Sequence, residues 1–160
     1  MKKLLTIAFI FSGFFLFGQA RLNISSGSSV NFFFNSYQKY LTGITYNDFT
    51  KFIIYYKDTT TANSYPNWRI DVKALTPTIN GDIGNTLNLN TLEIQASGAG
   101  TSTGFQALSS TDVSLLTGAN ETAPGTVTVS VSYRCGVTNS LLGKNSDYYV
   151  VDLLFTLIGE

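Results

Sequence analysis

Residues 67–75 read NWRIDVKAL and hold the only Trp of the chain. From Trp68 onward the side chains alternate, with Trp68, Ile70, Val72 and Ala74 on one side and Arg69, Asp71 and Lys73 on the other. Successive side chains of an extended chain point to opposite faces, so this two-residue rhythm is that of a strand with one dry face and one wet face. The stretch predicts a strand over Trp68 to Leu75, with its apolar set in the core and its three charges in water. Burying the indole removes about 150–250 Å² of surface from solvent. At about 25 cal/mol per Å² that is several kcal/mol before entropy is charged. The alternating charges also discourage pairing with stray strands.

The same pattern continues on either side of this stretch. Leu22 to Ile24, Val30 to Phe34 and Phe49 to Lys57 precede it as candidate strands. Leu87 to Ala96, Phe105 to Leu108, Val113 to Leu116, Thr126 to Cys135 and Tyr148 to Ile158 follow. Gly, Asn and Ser clusters such as SSGSS, TPTINGDIGN and SGAGTSTG separate them, as turns between antiparallel strands do. The phase of Leu87 and Leu89 breaks at Leu92 and Ile94, which predicts a bend or bulge there. Short strands at this density define the expected fold as all-β, an antiparallel two-sheet sandwich of immunoglobulin-like type.

The chain opens MKKLLTIAFIFSGFFLFGQA. Two lysines, an uncharged apolar run from Leu4 to Phe17 and a small-residue end at Ala20 make the pattern of a secretory signal peptide. The run is shorter than the roughly 20 apolar residues a spanning helix needs. Residues 1–20 are therefore expected to be removed, leaving residues 21–160 as one domain with no transmembrane helix. Export would place that domain in the periplasm, on the outer surface or in the medium. Losing Lys2 and Lys3 from the ten basic residues leaves eight against ten acidic ones, a formal net charge of −2. Nothing in that balance draws the chain to nucleic acid. Cys135 is the only cysteine. It lies in phase with Val127, Val129, Val131 and Tyr133 and is expected to be a buried, inert thiol.

With no His, the commonest general base and zinc ligand is missing, and Ser-His-Asp and Cys-His arrangements cannot be built. GAGTSTG, residues 98–104, has glycines but no phosphate-loop Lys. Asp82 is the one charge in INGDIGN, residues 79–85, too few oxygens of the right kind for an EF-hand calcium loop. Ten scattered carboxylates present no marked pair for glycoside cleavage. The expectation is a protein that is not an enzyme, with no cofactor and no metal.

Aromatic residues crowd NFFFNSYQKY and FIIYYK, residues 31–40 and 52–57. Alternation turns about half of them outward, where Tyr and Trp serve contact surfaces. The closing segment YYVVDLLFTLI, residues 148–158, is apolar on both faces apart from Asp152 and Thr156, as central or doubly covered strands are. Tyr149, Val151, Leu153, Phe155 and Leu157 are expected to fill the core beside the strand Thr126 to Cys135. Val150, Leu154 and Ile158 then point outward. With the outward aromatics Tyr55 and Tyr65, they form the candidate interaction surface. Its partner would be protein, through self-assembly or at a surface, or alternatively carbohydrate laid on exposed rings.

The Trp-led strand at Trp68, the Gly- and Asn-rich middle and the Tyr-opened final strand at Tyr148 span residues 68–160. In this layout the chain resembles the exported β-sandwich domains of bacterial surface proteins. It is similar to WxL-type cell-surface domains and, more loosely, to spore-coat-U and pilin-like domains. The resemblance implies an extracytoplasmic structural or adhesive role and brings no catalytic residues with it.

Overall fold

The computed structural model of the chain describes residues 21–55, 67–119 and 126–160. The expected leader over residues 1–20 and Tyr65 lie outside them. Strand β1 (Arg21–Ser26) leads through an extended segment to a short helix, α1 (Tyr37–Thr42), and then to the long β2 (Ile44–Tyr55). After β3 (Asn67–Ala74) come β4 (Thr78–Gly81), β5 (Thr86–Asn88), a 3-10 turn (Leu89–Thr91) and β6 (Leu92–Gly98). The chain continues through β7 (Thr101–Ser102), β8 (Gln106–Ala107), β9 (Val113–Ala119), β10 (Thr126–Cys135), β11 (Tyr149–Val150) and β12 (Leu153–Gly159). The fold is all-β in character, and every strand pair described is antiparallel.

The strands form a five-stranded sheet in the order β1-β2-β10-β6-β8, a four-stranded sheet β12-β3-β9-β7 and a three-stranded sheet β11-β4-β5. In β10 the residues Val127, Val129, Val131, Tyr133 and Cys135 turn inward, opposite Ile54, Phe52, Thr50, Tyr46 and Ile44 of β2. In β3 the inward set is Trp68, Ile70, Val72 and Ala74, all nearly inaccessible. One apolar cluster joins the sheets: the Phe52 ring of β2 meets the Phe155 ring of β12 edge-on, 4.9 Å between centroids. Trp68 lies over Gly118 of β9, where any Cβ would overlap the indole, and its Nε1–H donates to the Ala119 carbonyl at 3.2 Å.

The structure differs from the sequence expectation in several places. The strands make three sheets where two were expected, and TPTINGDIGN and SGAGTSTG, expected as turns, hold β4 and β7, because short backbone runs there find ladder partners in β5 and β11 and in β9. Val30 to Phe34 is not a strand, although Val30, Phe32 and Phe34 do turn inward and Asn31 and Phe33 outward. The segment lies over the end of the core without a ladder partner. Next to it, Ser36 caps α1 by accepting from the Lys39 N–H, and Gly43 ends it with φ 74° beside the Val137 backbone. The phase break between Leu89 and Leu92 is the 3-10 turn, which begins at Leu89 and hands over to β6 at Leu92, with both leucines buried.

The closing segment departs most. β12 pairs with β3, not with β10, whose two edges are taken by β2 and β6. Among the described residues it is an edge strand, and Leu153, Phe155 and Leu157 turn inward but are only partly covered. The segment also breaks at Val151–Asp152, because β11 follows β4 while β12 follows β3. The break answers the turn between those two strands, where the Leu75 N–H donates to the Asp152 carbonyl at 3.0 Å. Finally, Asp71 does not face open water. Only 4 % of it is exposed, because β3 is a central strand: Thr156 and Ser114 flank Asp71, and Arg69 Nε folds back to Oδ1 at 2.8 Å.

Candidate interaction surface

β12 opposes β3 with Leu153 to Ala74, Phe155 to Val72 and Leu157 to Ile70 on the inner face. On the outer face Leu154 lies opposite Lys73, Thr156 opposite Asp71 and Ile158 opposite Arg69. Arg69 joins both neighbouring carboxylates, donating from Nε to Asp71 and from Nη1 to Glu160. Lys73 reaches Asp112 at 3.4 Å. The outer face thus reads as an apolar row on β12 beside a neutralised row of charges on β3. The carbon stems of Arg69 and Lys73 can lie along the apolar groups while their charged ends stay wet.

Of the expected surface residues, Leu154 is 42 % exposed and Val150 46 %, and Ile158 is partly covered. Leu154 and Ile158 share the outer face of β12, whereas Val150 belongs to β11 and the three-stranded sheet. Tyr55 ends β2 in the five-stranded sheet, partly buried, with the Arg21 guanidinium 5.3 Å from its ring centroid. The structure therefore unites Leu154 and Ile158 and distributes Val150 and Tyr55 over two other sheets. Thr156, Arg69 and Glu160 surround this pair, and alternation marks Arg69 only as a wet-face charge. In the sequence Thr156 is only an interruption of the apolar run, and the Arg69–Glu160 contact joins residues 91 positions apart.

Among the described residues, the neighbouring aromatic rings of β2 and the segment before it are tilted against one another. Phe32, Tyr46 and Phe49 follow one another at 5.2 and 5.7 Å, with planes tilted by 37° and 43°, and they pack on each other at the end of the core. A coplanar row of rings is what a sugar face would need; these are tilted. Among the described residues no three His, Cys, Asp or Glu are arranged to hold a metal. A hollow of about 420 Å³ between Asn67, Thr101, Thr117, Gly118 and Glu160 carries one carboxylate, already bonded to Arg69.

Two further polar clusters are complete in themselves. Arg134 grips Glu93 through Nε and Nη2 at 2.9 and 2.7 Å and stacks 4.3 Å from the Phe105 ring centroid. Burial pushes the Glu93 carboxyl up, but bonds from Arg134 and Thr138 outweigh it and hold it below the usual range. Asp147 pins the loop after β4, accepting from the Tyr148 and Ile83 N–H groups and from Asn85 Nδ2. Burial pushes its carboxyl up, and those bonds more than offset that and keep it ionised. Burial pushes the Cys135 thiol up to about 12, so it is a poor nucleophile.

The chain matches no family model, and no curated protein sequence is similar to it. No helix among the described residues is long and apolar enough to cross a membrane.

Proposed function

We propose that this is an exported, non-enzymatic β-sandwich protein of immunoglobulin-like type with a structural, adhesive or assembly role at the bacterial cell surface. Its working surface in this reading is the outer side of β12. The observation that carries it is the closing strand: Leu154 is exposed and Ile158 half-covered on a strand whose other face enters the core. Apolar groups set on a rigid strand and rimmed by paired charges are the composition of a protein contact. The leader pattern MKKLLTIAFIFSGFFLFGQA supports export.

Cell fractionation with crosslinking tests this. The expected result is a chain beginning at Arg21, recovered outside the cytoplasm and crosslinked to protein through lysines near β12. A chain that keeps residues 1–20 and stays in the cytoplasm overturns export. Recovery on glycans alone, abolished by changing exposed tyrosines and untouched at Leu154, moves the function to carbohydrate binding.

A further inference from the structure

We infer that the edge of β12 left unpaired among the described residues is a docking edge for β12 of a second copy of this chain, the two strands running antiparallel about a two-fold axis at Thr156. The inference rests on the assembly reading above and names its partner.

Proteins blunt exposed sheet edges with short strands, bulges, prolines or charges, because an open ladder recruits other strands. The other sheet edges among the described residues carry such devices. β7, β8 and β11 have two residues each and β5 has three, while β1 begins with Arg21 and bulges between Ile24 and Ser26. β12 has none: seven residues, LLFTLIG, without charge, proline or bulge.

The direction of its free hydrogen-bonding groups follows from the ladder. Asn67 and Glu160 exchange two backbone bonds at 3.0 and 2.9 Å. In an antiparallel pair such bonds recur at every second residue. Ile158, Thr156 and Leu154 therefore spend their backbone groups on β3, and Leu153, Phe155, Leu157 and Gly159 turn theirs to the free edge. The inward side chains of Leu153, Phe155 and Leu157 are only partly covered, and a further strand would cover them.

A second copy fits this edge better than an arbitrary strand because the large apolar residues are placed symmetrically about Thr156, Leu154 and Ile158 on the outer face and Phe155 and Leu157 on the inner. A two-fold interface requires a surface complementary to itself. Pairing about Thr156 sets Leu154 of one copy against Ile158 of the other on the outer face, and Phe155 against Leu157 on the inner face. Thr156 meets its own counterpart, a favourable cross-strand pair. Where Asp152 comes beside Glu160 of the other copy, the Arg69 already bonded to Glu160 supplies the opposing charge.

Sedimentation of the purified chain over a concentration series tests the pairing. The expected result is a dimer that dissociates on dilution. Thr156→Lys places two ammonium groups face to face across the axis, yet sets each beside Asp71 in its own chain. It should raise the dissociation constant at least about tenfold with an unchanged circular dichroism spectrum. Thr156→Cys gives a second reading that tolerates a fragile lysine variant. Opposed residues of this kind lie about 4.5 Å apart at Cα, within disulfide reach, so mild oxidation should yield a covalent dimer, whereas Leu154→Cys should not. A chain that stays monomeric, a lysine variant that folds and assembles like the parent, or a Leu154→Cys dimer without a Thr156→Cys one overturns the pairing. A monomer crosslinked to a different surface protein overturns self-pairing and leaves the surface role standing. A dimer retained in the cytoplasm supports the pairing and overturns export.

Discussion

Trp68 is held by three independent constraints: an apolar environment, a glycine beneath its ring and a carbonyl for its N–H. Removing the side chain by Trp68→Ala should cost about 3–5 kcal/mol, the range for large buried aromatics. Lys73→Ala, on the other face and paired with an exposed Asp112, should cost under about 0.5 kcal/mol. Urea melts of the two variants check the contrast, and equal shifts would reverse the assignment of faces. Both faces of β3 were legible in its alternation. The burial of Asp71 was not, since alternation records which way a side chain points and not what lies over it. Cys135 gives a pH test. Its thiol deprotonates near 9.0 in the unfolded chain and at about 12 when folded, so the folded state holds the extra proton between those values. Stability should fall as pH rises through that window, and Cys135→Ala should flatten the decline in melts taken along the alkaline limb.

At the scale of elements, the closing segment carries the sharpest expectation. β12 supplies the partly buried Leu153, Phe155 and Leu157 to the core and hydrogen-bonds along the length of β3. Deleting residues 147–160 should abolish folding, seen as loss of the β signal and of a cooperative melt. Changing Val150 and Leu154 together to Thr should leave the monomer folded, because both are exposed and Thr suits a strand. Only assembly should weaken, measured by sedimentation; a double variant that unfolds like the deletion would make both faces core. The short helix α1 shows a different kind of oversight. Ser36 and Gly43 stand where an N-cap and a left-handed stop belong, but the aromatic run before them reads as strand because its side chains do alternate. Extended backbone and strand share that rhythm, and only a neighbouring strand makes the difference. Likewise, Leu115 and Leu116 are both buried because the β3–β9 register shifts there, an irregularity no period-two pattern contains.

Across the whole molecule one cluster of buried residues draws on strands of all three sheets, so the described parts should melt as a unit. Trp68 is the single indole and sits where β3 meets β9. Its fluorescence and the far-ultraviolet circular dichroism should therefore report one coincident transition in urea. Separate midpoints would show that the four-stranded sheet opens on its own. The sequence by itself determined the all-β class, the inward faces of β3 and β10 and the place of Cys135 among them. Each of these follows from the direction of successive side chains in extended chain, a property carried within a few residues. Only the tertiary structure decided which strands are neighbours. It placed β12 on β3 at an edge and not beside β10, closed both edges of β10, covered Asp71 and left Leu154 open. Pairing is settled by competition among distant segments for the same hydrogen-bonding edges and the same core volume, and that contest leaves no trace in the periodicity of any one strand.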